Sequence, residues 1–447
     1  MKKLLQTEQQ KKQQALSVSI KEGSAANFSA GLAETYITPF ALELKASPLN
    51  IGFLSSISGL IAPLAQIIGD KLMDKNSRKK IVRNFVLMQA VMLIPIASLS
   101  FFYWKSIGLS HLPWILILLY ALFAAMGGIA YPAWFSWMGD LVPKNQRGKY
   151  FGRKGRINGA VGLAAILIGG MMIDALKTKG IVLLGFSILF IIASIARLIS
   201  YYLLNKQYSP KFPVKKTNYF SIFSFLKRMD NYGKFSVSNA LFNFTLMIAS
   251  PFFSVYMLKE LNFTYKIYTI IIISSVLFTI ISSSFIGRLA DKYGNKKIFA
   301  LSCILFSINP LLWMFIKAPV LLVVLQIIAG IANAGMLLSV NNFTYDAVSP
   351  KNRALCITYT NILAGIGVFL GSLLGGFLID YLHPQSMNPF IFVFLVSAIG
   401  RSIVSVILVP KIKEQRKVNS LRPPNFHLIH LFRSINAEIH WFKHTIK

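Results

Sequence analysis

Apolar and polar stretches alternate along this chain on a scale of whole helices rather than of single turns. A bilayer-spanning α-helix needs about 20 predominantly apolar residues. Runs of that length lie at about 27–46, 49–69, 81–103, 112–138, 155–175, 180–204, 233–258, 264–287, 297–316, 319–344, 354–380 and 389–410. The pattern predicts an all-α integral membrane protein with twelve transmembrane helices, numbered here as spans 1 to 12.

Composition agrees with a membrane chain and excludes ordinary soluble classes. Of the 447 residues, 55% are apolar and 14% are charged, whereas soluble domains hold about 45–50% and about 25%. The first 26 residues are basic, and no short apolar segment with a small-residue cleavage site follows them, so we expect no cleavable signal peptide. The two cysteines, Cys303 and Cys356, lie inside apolar runs and match neither a disulfide framework nor a zinc motif.

Basic residues are distributed unevenly between the two sides of the predicted spans. The net charge is +32, and 38 of the 47 Lys and Arg residues fall on the side that carries both termini. Seven fall on the other side, and Arg197 and Arg401 lie inside spans. The positive-inside rule therefore predicts a multi-pass cell-membrane protein with both termini in the cytoplasm. The cations would then face anionic inner-leaflet lipid, and no nucleic-acid partner is needed to explain them.

The sequence repeats itself, with six spans followed by six. Residues 169–176 (GGMMIDAL) recur as residues 375–382 (GGFLIDYL) at an offset of 206. Further matches pair Asp140, Arg147 and Gly159 with Asp346, Arg353 and Gly365, Thr38-Pro39 with Ser250-Pro251, and Asp74 with Asp291. Parallel repeats of this kind place a substrate site near the midplane, between the halves. The predicted organisation is a cytoplasmic N-terminal segment (1–26), a six-helix bundle (27–204), a basic linker (205–232), a second six-helix bundle (233–412) and a basic amphipathic tail (413–447).

The loop between spans 8 and 9 resembles a known signature. Residues 286–297 read IGRLADKYGNKK, which is similar to the cytoplasmic loop G-x-L-A-D-x-x-G-[RK]-[RK] of the major facilitator superfamily. Residues 70–80, DKLMDKNSRKK, form a degenerate copy between spans 2 and 3, with Asp70 and Ser77 where the glycines belong. The resemblance covers about residues 27–412 and implies two pseudo-symmetric six-helix bundles that transport a solute by alternating access.

Two departures from the family pattern bear on the subfamily. Many proton-coupled members carry an Arg in span 4, and drug antiporters carry a Gly-Pro pair in span 5. Both features are absent from this sequence. The resemblance therefore assigns no subfamily, and it weakens the interpretation as a drug/proton antiporter.

The family implies a latch at the two signature loops. The central Asp would accept hydrogen bonds from a helix N-terminus of the neighbouring repeat unit, where the helix dipole favours an anion. Basic neighbours would help to hold the cytoplasmic side shut. The candidate latch residues are Asp74, Arg78, Gly287, Asp291, Gly294 and Lys296. The alternative is a solvated loop that only obeys the positive-inside rule.

Repeat symmetry separates architectural charges from candidate functional ones. A charge matched in both halves is expected to serve the architecture, which assigns structural roles to Asp174 with Asp380 and to Arg197 with Arg401. The glycines that recur every four residues in span 11 are expected to let helices approach closely. A charge present in only one half is the better candidate for transport chemistry.

Glu34 is such an unmatched charge. It lies in the middle of span 1, and the repeat places Leu246 opposite it. A charge at the bilayer centre costs about 2.5–3.5 kcal/mol on insertion scales, so a carboxyl group there favours its neutral form when buried. A group that is neutral when buried and ionised when hydrated can couple transport to protons. The alternative role for Glu34 is a packing hydrogen bond to a neighbouring helix.

Spans 1, 4, 7 and 10 line the central path in the superfamily, and polar or aromatic residues share one face of each. The candidates for the substrate cavity are Asn27, Thr35, Thr38, Tyr131, Trp134, Asn239, Asn243, Asn333 and Asn341. No Lys or Arg lies on these faces, so we expect a mildly polar, aromatic cavity that is poor in charge. Any single Asn in the set has an alternative role as an interhelical hydrogen-bonding residue.

These observations favour a secondary transporter of a small, uncharged or weakly polar organic solute. The chain is expected to act as a monomer, with protons as a candidate coupling ion. The alternatives are an exporter of lipophilic compounds and a non-transporting membrane sensor on the same fold. No phosphate-binding G-x-x-x-x-G-K-[ST] loop occurs in the sequence, which argues against an ATP-driven pump. We expect neither enzyme activity nor a cofactor or metal.

Overall fold

The computed structural model describes residues 2–142, 147–210, 230–348, 353–382 and 385–415, together with Phe225. These ranges are almost entirely helical, and no strand occurs within them. The helices are α1 Lys2–Ala33, α2 Ile37–Glu43, α3 Pro48–Met73, α4 Arg78–Trp104, α5 Leu112–Leu141, α6 Arg147–Thr178, α7 Val182–Lys206, α8 Asn231–Ala249, α9 Phe252–Val255 with a π-helical turn Tyr256–Glu260, α10 Tyr265–Tyr293, α11 Asn295–Phe315, α12 Pro319–Ala347, α13 Arg353–Tyr381 and α14 Pro389–Ile407, followed by a 3-10 turn Val409–Lys411.

Several helices begin at side chains that cap their free backbone N–H groups. Ser47 and Asn50 form a reciprocal capping box at the start of α3, with Pro48 as the first helical residue. Thr264 caps α10, and Asp230 accepts a hydrogen bond from the backbone N–H of Gly233 at the start of α8. Such caps fix where a helix begins because the first four N–H groups have no partner inside the helix.

Eleven of the helical segments in the described ranges are long and apolar enough to cross a membrane. The remaining predicted span, at 27–46, consists of the end of α1, a turn at residues 34–36, and α2. Pro39 explains the break, because proline has no N–H to donate to the carbonyl group four residues earlier. That carbonyl belongs to Thr35, and it accepts the hydroxyl of Tyr268 instead, at 3.5 Å. Span 7 is interrupted at the repeat-equivalent Pro251, between α8 and α9.

The helices form two six-helix bundles, which confirms the predicted fold class. The N half comprises α1–α7 and the C half comprises α8–α14. Within the C half, the glycine spacing of α13 has the expected packing role, since Gly367, Gly371 and Gly375 each lie against a backbone carbonyl oxygen of α8. Between the halves, α3 packs against α13 and α6 packs against α10.

The first helix extends well before the predicted start of span 1. Helix α1 is continuous from Lys2 to Ala33, so no element boundary separates residues 26 and 27. Its early turns pack on the N half, where Ala15 is buried and the backbone carbonyl of Leu16 accepts the hydroxyl of Tyr150. Most of the predicted linker (205–232) and tail (413–447) lies outside the described residues.

The two ends of the bundle differ in how the halves meet. We call the end where α1 begins and α7 finishes the terminal end, and the other the opposite end. Near the opposite end, Gly52 of α3 lies against α13: a Cβ atom at Gly52 would be 2.7 Å from the carbonyl oxygen of Ser372. A Cβ at Gly376 would be 3.0 Å from the carbonyl oxygen of Pro48. The backbones of the two halves are therefore in direct contact there.

The halves separate towards the terminal end. Along α6, Gly170 touches Tyr36 and Thr269, and Gly159 faces Ile280 of the C half. One and two turns further towards the terminal end, Cβ atoms at Gly155 and Gly152 would meet no heavy atom of the described residues within 4 Å. The halves are thus in direct contact at the opposite end, and along α6 the described contacts between them end at Gly159.

Candidate functional site

The N half encloses a cavity of about 240 Å³, which we call the N-half cavity. Residues from five helices line it: Glu22, Gly23, Ala26, Asn27, Val82, Val86, Gly127, Ala130, Tyr131, Trp134, Lys154, Asn158 and Arg197. Tyr131 is 50% exposed although it lines the cavity. The cavity is therefore a pocket that is open to the surroundings of the bundle.

Three charged residues from three different helices face this cavity. Glu22 of α1 and Lys154 of α6 are only 4% and 6% exposed. The ammonium group of Lys154 donates to the hydroxyl of Ser19 at 2.8 Å and lies 4.7 Å from the centre of the Trp134 ring. The carboxylate of Glu22 accepts the hydroxyl of Ser200 at 2.9 Å. Each charge thus has a polar or aromatic partner, which offsets the cost of removing it from water.

Arg197 of α7 connects this cavity to Glu34. Its guanidinium donates two hydrogen bonds to the side-chain oxygen of Gln89. It also interacts electrostatically with both Glu22 and Glu34. Glu34 lies at the break between α1 and α2, about three helical turns from Glu22 along the chain. One cation therefore lies within electrostatic range of two carboxylates at different depths in the bundle.

The repeat-equivalent arginine of the C half has different surroundings. Arg401 is 1% exposed and donates to the backbone carbonyl groups of Phe306 and Leu246, at 2.7 and 3.0 Å. The repeat offsets equate these partners with Gln89 and Glu34. Arg401 is thus held by fixed backbone groups, whereas Arg197 is held by a side chain beside two titratable groups. Matched positions in the two halves have different chemistry.

The predicted cavity residues occupy several distinct environments. Asn27, Tyr131 and Trp134 line the N-half cavity. Thr35 and Thr38 lie at and after the break in span 1, and both are half-buried. Asn243 donates to the backbone carbonyl of Asn239 on the same helix at 2.8 Å.

Two further candidates lie on α12 of the C half. The amide of Asn333 donates to the hydroxyl of Thr279 on α10 at 3.4 Å, so it links two helices. Asn341 is exposed. The N-half cavity therefore brings three of the nine candidates together.

The expectation of a charge-poor cavity is wrong for the N half. Glu22 and Lys154 lie outside the predicted spans 1 and 5, and repeat symmetry predicts a structural role for Arg197. The sequence does contain a signal that the part of α1 around Glu22 is buried. Small or polar residues occur at every fourth position of α1, at Ala15, Ser19, Gly23, Asn27 and Gly31, which indicates that the buried face continues before residue 27.

Hydrogen bonds between the halves close the opposite end. The hydroxyl group of Tyr36 is 3.0 Å from that of Thr269. The hydroxyl of Tyr265 donates to the carboxylate of Glu43 at 2.7 Å. The carboxylate of Asp380 accepts the backbone N–H of Leu49 at 2.9 Å, at the N-terminus of α3. Asp380 therefore has a structural role, as repeat symmetry predicts, and the helix N-terminus that it caps belongs to the other half.

The candidate latch residues contact neighbours within their own halves. Arg78 forms an ion pair with Asp140 at the end of α5. The repeat-equivalent pair in the C half is Asn295 with Asp346, whose side chains are hydrogen-bonded at 2.7 Å. Each signature loop is thus tied to the end of a neighbouring helix. Asp74 and Asp291 are exposed at the terminal end, and Gly287 is half-buried.

The second signature loop also holds the end of the described chain. Gly294 has a φ of +99°, a conformation that favours glycine, and Glu414 fills the space beside it. The carboxylate of Glu414 accepts the backbone N–H of Lys296 at 2.8 Å, at the start of α11. The ammonium of Lys296 donates to the backbone carbonyl of Pro410 at 3.2 Å.

Comparison with known proteins agrees with this architecture. The family model described as the Major Facilitator Superfamily matches residues 23–231 and 235–440. The chain is 22% identical over 336 residues to a "Multi-drug resistance efflux pump PmrA homolog" of Lactococcus lactis, covering 74% of this chain and 77% of that protein. It is also 22% identical over 365 residues to "Multidrug resistance protein MdtG" of Salmonella arizonae, covering 78% and 85%.

Solved structures share the fold at low sequence identity. The nucleoside transporter NupG aligns with a TM-score of 0.67 at 18% identity, covering 89% of this chain and 99% of that one. A bacterial homologue of the iron transporter ferroportin, in its inward-facing state, aligns with a TM-score of 0.69 at 14% identity, covering 89% and 98%. The chain therefore belongs to the major facilitator superfamily and is a multi-pass membrane transporter.

Proposed function

We propose that this transporter moves a small, weakly polar organic solute across the cell membrane, coupled to protons. The observation that carries the proposal is the N-half cavity, together with hydrogen bonds between the halves at the opposite end and the absence of described neighbours at Gly155 and Gly152 towards the terminal end. Alternating access requires this state and a second state in which the terminal end is closed and the opposite end is open. Each chain contains both halves, so we propose that a monomer performs the cycle.

The lining of the cavity supports a neutral solute of mixed polarity. Glu22, Lys154 and Arg197 line the cavity, and Glu34, within electrostatic range of Arg197, brings the sum of these four charges to zero. Trp134 and Tyr131 offer an aromatic wall, while Asn27 and Asn158 offer hydrogen bonds. Pockets for small organic ligands combine apolar and aromatic walls with a few convergent polar groups in this way.

Glu34 is the proposed proton-carrying group. It lies at the break in span 1, where a change of helix geometry would change its access to water. Arg197 interacts with it electrostatically, and a nearby cation opposes protonation of a carboxylate. Movement of Arg197 towards Glu22 or Gln89 would favour protonation of Glu34. The guanidinium is thus proposed as the switch between the two charge states.

Two sets of contacts are proposed to hold the two ends shut in turn. At the opposite end, Asp380 caps α3 across the halves. At the terminal end, the signature loops would play this part in the alternate state, with Asp74 and Asp291 as the anions that bind a helix N-terminus of the neighbouring unit. Both aspartates are exposed in the present state.

Export is the second candidate direction. The two relatives aligned over most of this chain are named as a multidrug efflux pump and a multidrug resistance protein, and the aromatic wall of the cavity suits lipophilic compounds. An exporter would use the same cavity and exchange the solute for protons. The two directions differ in the sign of solute movement under an imposed pH gradient.

Orientation in the membrane can be tested with reporter fusions. We propose that the terminal end faces the cytoplasm, because 38 of the 47 basic residues fall on that side of the predicted spans. Fusions after Lys105 and Lys317 should report an external location. A fusion after Ser77 should report a cytoplasmic one. The inverse pattern at all three positions would contradict the proposed orientation and would make the present state outward-open.

The proposed solute site can be tested by ligand-dependent thermal stabilisation. An uncharged aromatic solute that raises the melting temperature of the purified protein should lose at least half of this effect in Trp134→Ala, because the aromatic wall is removed. Trp104→Ala is the matched control: Trp104 is 70% exposed and lies at the opposite end. Vesicles with an imposed pH gradient should then accumulate or expel the same solute. Stabilisation that Trp134→Ala leaves intact, or binding without any flux, would contradict the proposal.

A further inference from the structure

The buried amide of Gln89 on α4 lies between the backbone of α5 and the guanidinium of Arg197 on α7. Gln89 is only 4% exposed. Its side-chain nitrogen donates to the backbone carbonyl of Phe123 at 3.1 Å. Its side-chain oxygen accepts the Nε–H of Arg197 at 3.2 Å, together with a second N–H of the same guanidinium. Because a carbonyl only accepts and a guanidinium only donates, the amide has a single orientation that satisfies both partners.

A neutral side chain holds Arg197 without cancelling its charge. The remaining N–H groups of the guanidinium stay available to carboxylates, and Arg197 interacts electrostatically with both Glu22 and Glu34. These two residues are about 18 Å apart along the chain direction of α1, from the helical rise per residue. Arg197 therefore moves away from one carboxylate as it approaches the other. The point at which the guanidinium is held decides how much of its charge each carboxylate experiences.

The C half holds its buried arginine in another way. The repeat equates Gln89 with Phe306, and Arg401 donates to the backbone carbonyl groups of Phe306 and Leu246. Backbone carbonyls thus suffice to hold a buried arginine in this fold. The amide side chain occurs in the half that also carries the unmatched carboxylate, so the reasoning that separates Glu34 from the matched charges separates Gln89 as well.

We propose that Gln89 is a positioning residue for proton coupling. It fixes the guanidinium of Arg197 between Glu22 and Glu34, and it thereby sets the pH at which Glu34 takes up its proton. The inference rests on the proposed function, in which Glu34 carries the proton.

Two further titratable groups face the same cluster of charges. Lys154 of α6 lies within electrostatic range of Glu22, and Tyr120 of α5 lies within range of Glu34. Within the described part of the chain, the side-chain hydrogen bonds of Gln89 go to Phe123 and Arg197. A substitution of Gln89 therefore acts on the cluster through Arg197.

Infrared difference spectroscopy of the purified protein in lipid vesicles tests the proposal without a solute. The carboxyl C=O band that Glu34→Gln removes reports the protonation of Glu34, and its pH midpoint is compared between variants. Gln89→Glu keeps an acceptor for Arg197 but cancels its charge, so the midpoint should rise by about one pH unit. Gln89→Leu releases the guanidinium to Glu34, so the midpoint should fall by a similar amount. General damage to the fold does not produce opposite shifts, and Gln89→Met replaces Gln89→Leu if that variant fails to fold.

Gly127→Ala tests the same hydrogen bonds from the cavity side. Gly127 lines the N-half cavity, and a Cβ atom there would be 2.8 Å from the side-chain nitrogen of Gln89. The amide must then move aside, so the midpoint should shift in the direction seen for Gln89→Leu. The two changes should not add, because they break the same contacts. Gly139→Ala is the matched control on the same helix: a Cβ there meets no described heavy atom within 4 Å, and the midpoint should stay unchanged.

The outcomes separate this inference from the function on which it rests. If the midpoints of Gln89→Glu and Gln89→Leu move in the same direction, or do not move, the positioning role of Gln89 is overturned and that of Glu34 stands. If the titrating band survives Glu34→Gln, Glu34 does not carry the proton, and the inference fails together with that part of the proposed function.

Discussion

Glu34→Gln should abolish solute accumulation driven by a pH gradient while leaving exchange of solute for solute intact. The substitution keeps the shape of the side chain and most of its hydrogen bonding, but it fixes the neutral state. Arg197 would then lose one of its two carboxylate partners. We expect accumulation in reconstituted vesicles to fall at least tenfold, with flux down the solute gradient reduced far less.

The control for this experiment preserves the charge. Glu34→Asp keeps a titratable carboxylate at a different reach from Arg197, so it should retain partial coupling with a displaced pH optimum. Comparison of the two variants separates loss of a proton site from general damage at the break in span 1. If Glu34→Gln accumulates solute with the normal proton dependence, Glu34 serves packing and another group carries the proton.

Gly52→Val should open the opposite end. A Cβ at this position would lie 2.7 Å from the carbonyl oxygen of Ser372, a backbone atom that cannot rotate away. Overpacking of this kind costs about 1–3 kcal/mol, and only the state with the opposite end closed bears this cost. The equilibrium between the two states should therefore move by about 5- to 150-fold, and transport should slow because the closed state is disfavoured.

Cysteine labelling gives the readout for this shift. Cys303 and Cys356 are both buried, so the background labelling is low. A cysteine at Ser254, whose hydroxyl lies 3.4 Å from that of Tyr268, should react faster from the opposite end in the Gly52→Val background. Gly155→Val is the matched control, since a Cβ there meets no described atom within 4 Å. If the cysteine at position 254 reacts at equal rates in the Gly52→Val and Gly155→Val backgrounds, the assignment of Gly52 to the closing contact is wrong.

The architecture could be predicted from the sequence because the relevant signals are long and repeated. Spans of about 20 apolar residues are set by the thickness of the bilayer, and the matched glycines and aspartates fix the correspondence of the two halves. Asp380 illustrates the limit of that approach. Its structural role follows from its match with Asp174 in the repeat, but the helix that it caps belongs to the other half, and no local pattern contains that information.

The charged part of the cavity could be predicted less well, for two physical reasons. Hydropathy places Glu22 and Lys154 at the interface because they precede the apolar runs of spans 1 and 5, although the bundle buries both. Repeat symmetry predicts the same role for Arg197 and Arg401. Arg197, however, donates to the side-chain amide of Gln89, whereas Arg401 donates to backbone carbonyl groups. Partners decide the role of a buried charge, and partners are set by tertiary packing.

The confinement of the balanced charges to the N half has an electrical consequence. With Glu34 ionised, the carboxylates Glu22 and Glu34 and the cations Lys154 and Arg197 sum to zero. Protonation of Glu34 then gives this group of four side chains one net positive charge. If the solute is neutral, each proton-coupled cycle carries this charge across the bilayer, so the transporter should generate a current. Membrane potential would then drive accumulation alongside the pH gradient, contributing about 2.3 kcal/mol per 100 mV for each proton.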